Sequence, residues 1–365
     1  MRSRLEWLEA LSPWPEEFGL GRMRALLGEL GEPQRRYRAI HVVGTNGKST
    51  ATRRAAAFLL REGLSVGAYT SPHVAGWSER IQVDGEDADL EQALERVREP
   101  AERLGATQFE VLTAAALAEF AAADVEVAVV EAGLGGRLDA TNVLDAEVVA
   151  LTNVALDHTD VLGDTRERIA DEKLAVVSPG ATVVLGEPEW ESRARARGPA
   201  QVVHEDDVGR AAAEALLGRP LAGDVEAMLP GRFEQIGDDV FAGAHNPAGV
   251  EWLLARLPRH DYVVAVSILE DKDADAMLRA LAHAGDTLVA TASHSARALP
   301  ADELARLAAP HFAWVETAPD PAEALDLARE LAGADGAALV TGSLYLLADL
   351  IVRLQHVPWG SSASA

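Results

Sequence analysis

Short apolar, β-branched runs alternate with longer amphipathic stretches along almost the whole chain, and this alternation restricts the fold more than any other feature. Strand-length runs separated by helix-length stretches are the signature of βα units on a mostly parallel sheet. The pattern predicts strands at Ala39–Val43, Val66–Thr70, Val125–Glu131, Glu147–Asn153 and Thr182–Gly186, with helices near Lys48–Arg61, Leu90–Leu104, Glu110–Ala122 and Thr165–Val176. It weakens after Gly186, passes through a helix at Val208–Leu217, and resumes from Leu229. Further strands are expected near Val240–Ala242, Tyr262–Ser267, Thr287–Ala292, Ala313–Glu316 and Ala338–Thr341. A chain of 365 residues exceeds what one core usually serves. The expectation is therefore an α/β protein with a nucleotide-binding domain over 1–205, a linker over 206–228, a smaller Rossmann-like domain over 229–358 and a disordered tail over 359–365.

Charge and composition exclude several functions. With 33 Lys and Arg against 58 Asp and Glu, the net charge of −25 opposes phosphodiester backbones and anionic lipid surfaces. No nucleic-acid or membrane partner is expected. The absence of cysteine rules out disulfides, thiolate metal sites and a cysteine nucleophile. Glu6, Glu9 and Pro13 fall where a signal peptide needs an apolar stretch, and no apolar run reaches the ~18 residues of a membrane span. A cytoplasmic monomer is the expectation.

The first strand runs into Gly44-Thr45-Asn46-Gly47-Lys48-Ser49-Thr50 and then a helix. Strand, glycine-rich turn and helix N-terminus are what a phosphate loop requires. Glycines turn main-chain N–H groups onto phosphate oxygens, the helix end adds positive potential, Lys48 reaches the terminal phosphates, and a hydroxyl meets Mg²⁺. Only two residues separate the glycines, fewer than in the general phosphate-loop pattern. Thirty of the 33 basic residues are arginines, so Lys48, Lys173 and Lys272 stand out as positions where a compact amine is needed. Glu131 closes an apolar strand ahead of the turn Gly133–Gly136, which puts it at the carboxyl edge of a parallel sheet, where α/β ligands sit.

HVVGTNGKST, YTSPH with WSERI, VVEAGLGGRLDATN, ALDHTDVLG with DEK, LPGRFE, GAHNP, DKD and TGSLYLL occur in an order that resembles the folylpolyglutamate and dihydrofolate synthases of the Mur ligase superfamily. The resemblance runs from about residue 39 to 350. It implies a phosphate-loop Mur-ligase-type domain joined to a Rossmann-like one, and an ATP- and Mg²⁺-dependent ligase. Its substrates would be a folate or dihydropteroate carboxylate and L-glutamate, joined through an acyl phosphate. Nucleotide contacts would come from Gly44 to Thr50 and from Arg232, with one Mg²⁺ on Thr50 or Ser49 and a second on Ser71, Glu131 and His158. The resemblance also implies a carbamylated Lys173, His245 and Asn246 around phosphates and glutamate, and an aromatic Trp77 for the pterin. Ser343, at a glycine-preceded strand-to-helix junction, is a natural anion site. Each residue alone also has a plainer reading: a solvated strand-end carboxylate, a structural histidine, a turn serine, a helix cap at Asn246 or Ser343, a surface arginine, a partly buried aromatic, or a Lys173 paired with Asp171 or Glu172.

Three departures stand against the family pattern. Ser49 follows Lys48 directly where a glycine is usual, Ala242 replaces an aspartate that contacts ATP, and the chain between Gly186 and Leu229 is short. Two other readings follow: a Mur-type ligase acting on another carboxylate, and a nucleotide-binding protein without ligase activity.

Overall fold

The computed structural model describes residues 3–354 apart from 14, 16, 17 and 228, so the tail expected at 359–365 lies outside the described residues. The chain forms two compact units. Unit 1 comprises Met1–Pro72 and Trp77–Leu229, and unit 2 comprises His73–Gly76 and Pro230–Ala365.

Unit 1 runs α1 (Arg4–Glu9), α2 (Gly21–Glu29), β1 (Arg38–Val43), α3 (Lys48–Arg61), β2 (Val66–Tyr69), β3 (Ile81–Val83), β4 (Glu86–Asp87), α4 (Leu90–Leu104), α5 (Gln108–Ala122), β5 (Val127–Glu131), β6 (Val148–Leu151), α6 (Thr159–Leu162), α7 (Arg166–Lys173), β7 (Thr182–Leu185), α8 (Glu191–Arg195), β8 (Gln201–His204) and α9 (Val208–Leu217). Among the described residues its strands form one sheet in the order β4-β3-β2-β5-β1-β6-β7-β8. The strands from β2 across to β8 are parallel, and β3 and β4 add an antiparallel edge. Because successive strand residues point to opposite faces, β1 divides its side chains between two apolar layers. Ile40 and Val42 pack with Ala55, Phe58 and Leu59 of α3, while Ala39 and Val43 pack with Leu112 and Ala116 of α5 and the helices beside it. A parallel sheet buried on both faces needs such nearly continuous apolar strands.

The segment 206–228, expected as a linker, contributes α9 to unit 1 instead. Val208, Ala211, Ala212 and Leu216 recur at helical spacing and enter the apolar layer beneath α3. Asp207 caps α9 and accepts from both Nε and Nη2 of Arg54, at 3.1 and 2.5 Å, so the helix is also tied to α3 by charge. β8 was not expected. It is a partly buried edge strand whose apolar content is the pair Val202-Val203, too little to read as a strand from pattern alone.

Unit 2 runs β9 (Glu234–Ile236), β10 (Asp239–Phe241), α10 (Pro247–Leu254), β11 (Tyr262–Val266), α11 (Ala274–Leu281), β12 (Thr287–Ala290), α12 (Ala301–Ala308), β13 (Trp314–Thr317), α13 (Pro321–Ala332), β14 (Ala337–Thr341) and α14 (Leu344–Leu354). The sheet order is β13-β12-β11-β14-β10-β9, parallel except for the β9–β10 hairpin. Two apolar layers again sandwich it. Among the described residues no helix is long and apolar enough to cross a membrane.

Candidate active site

In unit 1 the polar residues collect where parallel strands end. β1 delivers Gly44 with φ of +151°, and a Cβ there would come to 1.9 Å from Thr152 Oγ1, so only glycine lets the loop pass the end of β6. The loop is then bonded sideways. Thr45 N and Asn46 N donate to Asn153 O and Oδ1 at 2.9 Å each, and Thr152 Oγ1 donates to Asn46 O at 2.7 Å. Gly47 sits at the N-cap of α3 in the left-handed region and brings no side chain to cap it. The first turn of α3 thus presents main-chain N–H groups and the positive end of its dipole. Lys48 folds over this loop, its Nζ donating to Thr45 O at 3.2 Å.

Glu131, the last residue of β5, is buried. Ser49 Oγ donates to its Oε1 at 3.1 Å and the Ser71 main-chain N–H donates to its Oε2 at 3.0 Å. Of the two loop hydroxyls weighed as metal ligands, it is Ser49 that reaches Glu131. Ser71 approaches through its amide rather than its hydroxyl. His158 caps α6 with a left-handed φ of +49°, and its Nε2 lies 3.9 Å from Asp157 Oδ1. Among the described residues no three His, Asp or Glu side chains converge as a chelating group.

The oxygen pair of Ser49 and Glu131 nevertheless fits Mg²⁺. Octahedral coordination at ~2.1 Å places neighbouring ligands about 3 Å apart, and such sites use one or two carboxylates with the remaining positions filled by water and phosphate.

Lys173 ends α7 and is buried, with its Nζ donating to Gly44 O at 2.7 Å. Neither plainer partner, Asp171 or Glu172, takes its amine. Burial, reinforced by the nearby Lys48 charge, lowers its pKa from 10.5 to about 7. The glycine-rich turn after Glu131 fixes its backbone: a Cβ on Gly136 would come to 2.8 Å from the carbonyl oxygens of Glu172 and Lys173. Asp139 holds that turn, its buried carboxylate accepting from Leu134 N at 2.8 Å, Thr141 N at 3.0 Å and Thr141 Oγ1. Since the Thr141 hydroxyl donates to Asp139, it accepts from His41 Nε2, 2.8 Å away on β1. Burial lowers the His41 pKa to about 4, which keeps that ring neutral.

Trp77 donates its Nε1–H to Glu9 at 3.1 Å, and the Arg80 guanidinium lies 4.7 Å over one face of its ring.

In unit 2 three loops meet at the ends of β10 and β14. Gly243 N donates to Gly231 O at 2.9 Å and Gly342 N to Ala244 O at 3.1 Å. Arg232 lies beside Gly243, where a Cβ would be 3.5 Å from its Nη1. His245 Nδ1 bonds to Gly243 O at 2.9 Å. Asn246 Oδ1 accepts from Gly249 N at 2.8 Å as the cap of α10, and Ser343 Oγ accepts from Tyr345 N at 3.0 Å. Both are thus caps, as their plainer reading had it. Ala242, where an aspartate contact was noted as missing, turns its methyl into an apolar cluster with Val250 and Ile268.

Sequence reasoning missed two groups. Arg53, one helical turn after Ser49, is buried behind the loop. A row of buried hydroxyls closes the strands of unit 2: Ser267 Oγ accepts from Ser293 N at 2.9 Å, while Thr291 Oγ1, Ser293 Oγ and Thr341 Oγ1 have no partner among the described residues. Their signal was a Ser or Thr at or just past the end of successive apolar runs.

The Mur ligase middle domain matches residues 42–203, and the Mur ligase glutamate ligase domain matches 231–344. These define the class as an ATP-dependent ligase. The dihydrofolate synthase/folylpolyglutamate synthase of Mycobacterium tuberculosis is 33% identical, over 87% of this chain and 84% of its own. The structure of Mycobacterium tuberculosis folylpolyglutamate synthase complexed with ADP superposes with a TM-score of 0.89 at 30% identity, covering 97% of this chain and 98% of that one. The structure of a bifunctional folylpolyglutamate synthase/dihydrofolate synthase with Mn, AMPPNP and L-glutamate bound gives a TM-score of 0.83 at 29% identity, covering 96% of this chain and 97% of that one. The chain belongs to the dihydrofolate synthase/folylpolyglutamate synthase family of Mur ligases.

Proposed function

We propose that the protein uses ATP and Mg²⁺ to join L-glutamate to the carboxylate of dihydropteroate or a folate, acting as a cytoplasmic monomer. The observation that carries this reading is the Ser49–Glu131 oxygen pair beside a phosphate loop with an uncapped helix end. The loop amides and Lys48 hold the nucleotide phosphates and stabilise charge that develops on the transferred group. Ser49 and Glu131 would hold Mg²⁺, which when bound neutralises charge on the phosphates. The substrate carboxylate oxygen attacks the γ-phosphorus, giving ADP and an acyl phosphate. The neutral amine of glutamate then attacks the acyl carbon, the C–O bond to phosphate breaks, and an amide and inorganic phosphate leave.

Lys173 supports the reading in a second way. With a pKa near 7, about half of its amine is neutral at neutral pH. A neutral amine adds CO₂ with release of one proton, giving a carbamate anion. The neutral amine consumed in that reaction is the form which burial favours. The resemblance assigns such a carbamate to this position, and Lys173 is proposed to carry it. Trp77 is assigned to the pterin ring. In unit 2, Arg232 is assigned to nucleotide, and His245 with the hydroxyl row from Ser267 to Ser343 offers donors for the carboxylates of glutamate.

Phosphate release measured with ATP, Mg²⁺ and glutamate tests the reading. Dihydropteroate or tetrahydrofolate should stimulate it, and a UDP-muramyl acid should not. Stimulation by the muramyl acid alone would favour another Mur-type ligase, and no stimulation by any acid would favour a nucleotide-binding protein without turnover.

A further inference from the structure

Arg53 is a buried cation in unit 1 with two donor nitrogens left unbonded. Its side chain is carried by α3, four residues after Ser49 and therefore on the same helical face. It is 7% exposed. Only Nη2 is bonded, donating to Thr70 Oγ1 at 3.3 Å and to the main-chain oxygen of Glu79. Nε and Nη1 have no partner among the described residues. The carboxylates of Asp87, Glu79 and Glu131 act on it through space. A buried cation with unmade hydrogen bonds costs stability, and an apolar side chain of similar length would pack there at lower cost. Such local violations belong to functional positions more often than to scaffolding.

What the guanidinium touches indicates its use. Thr70 and Glu79 are the two ends of the loop 71–78, which leaves β2 and returns to β3, and Thr70 N also donates to Arg80 O at 2.9 Å. One nitrogen of Arg53 therefore holds both ends of that loop against the helix that begins at the phosphate loop. The loop carries Ser71, whose amide is on Glu131, and Trp77.

We propose that Arg53 is a positioning residue for ligation: by clamping Thr70 and Glu79 it keeps the Ser71 amide on Glu131 and holds Trp77 where the acid substrate binds. The Trp77 half rests on the proposed function, and the Ser71 half does not.

The test compares wild type, Arg53→Met and Arg53→Lys in the full chain. In Arg53→Met the peptide spanning 69–80 should exchange amide hydrogens about tenfold faster, while the peptide spanning 39–43 keeps its wild-type rate. The melting temperature should equal or exceed that of wild type, because unsatisfied donors have been removed. ATP affinity should stay within about twofold, the KM for the acid substrate should rise about tenfold, and kcat should change less than about threefold. Arg53→Lys keeps the charge but donates from a single nitrogen, and should fall between. Two results overturn the proposal: unchanged exchange at 69–80, or a lowered melting temperature with exchange raised throughout unit 1, which marks a merely structural role. If Arg53→Met does not fold, its failure is itself that structural result, and a wild-type KM in Arg53→Lys would agree with it. Absence of turnover by wild type on any pterin acid would count against the proposed function, and hydrogen exchange would still decide the role of Arg53.

Discussion

Ser49 Oγ and Glu131 Oε1 lie 3.1 Å apart, joining the first turn of the phosphate-loop helix to the end of β5. This pairing separates two neighbouring hydroxyls that are chemically alike. Ser49→Ala should lower kcat/KM for Mg²⁺-ATP by about 10- to 100-fold, the range seen when a metal-orienting group is lost. Thr50→Ala should cost several times less. Titrating Mg²⁺ at fixed ATP for both variants checks this, and equal losses would move the ligand role away from Ser49.

Lys48→Ala should reduce ligation by about 10²- to 10³-fold, the scale for losing one preorganised group that stabilises transition-state charge. Among the described residues its Nζ bonds to the loop carbonyl of Thr45 alone. The melting curve should therefore match wild type while single-turnover phosphate release collapses.

Lys173 makes stability depend on pH in a defined direction. Its pKa is about 7 when folded and 10.5 when unfolded, so between these values the unfolded chain binds the extra proton. The contribution is fully present above about pH 10.5 and is lost as pH falls toward 7. In buffers freed of CO₂, so that Lys173 is the unmodified amine, Lys173→Met should remove that slope from a series of urea titrations at different pH and should be relatively more stable at pH 6. A variant curve parallel to wild type across this window would contradict the buried, deprotonated amine.

Ala242→Asp should destabilise unit 2 rather than restore a nucleotide contact. Its methyl lies in an apolar cluster, and a carboxylate placed there without a partner costs about 1–3 kcal/mol or more. Thermal melting with and without ATP distinguishes the outcomes. A raised melting temperature that depends on ATP would show that the position still faces nucleotide.

The parts legible in the sequence were those where one residue type serves one purpose. β5, β6 and β11, and β1 apart from Arg38 and His41, are nearly continuous apolar runs because both faces of each sheet are covered, and Gly44 and Glu131 stand out because they interrupt or end such runs. The edges β3, β4 and β8 are short and only partly buried, so their patterns are too weak to separate from loops. Lys173 was visible because lysine is scarce here. Arg53 was hidden for the opposite reason, since thirty arginines make any one of them unremarkable until its burial is known. Ser49 and Thr50 could not be ordered by pattern, because the choice depends on which side of the first helical turn faces β5. α9 was legible as a helix at Val208–Leu217, but its place in unit 1 was not, because that depends on the surface of α3 it covers.

The central claim is that the acid substrate is activated by phosphoryl transfer to its own carboxylate. Dihydropteroate labelled with ¹⁸O in the carboxylate, incubated with the enzyme, ATP, Mg²⁺ and L-glutamate, gives the most direct test. The account requires one ¹⁸O to appear in each inorganic phosphate released, because the oxygen that attacks the γ-phosphorus departs with it when glutamate forms the amide. Phosphate released at the rate of amide formation but free of ¹⁸O would contradict the account.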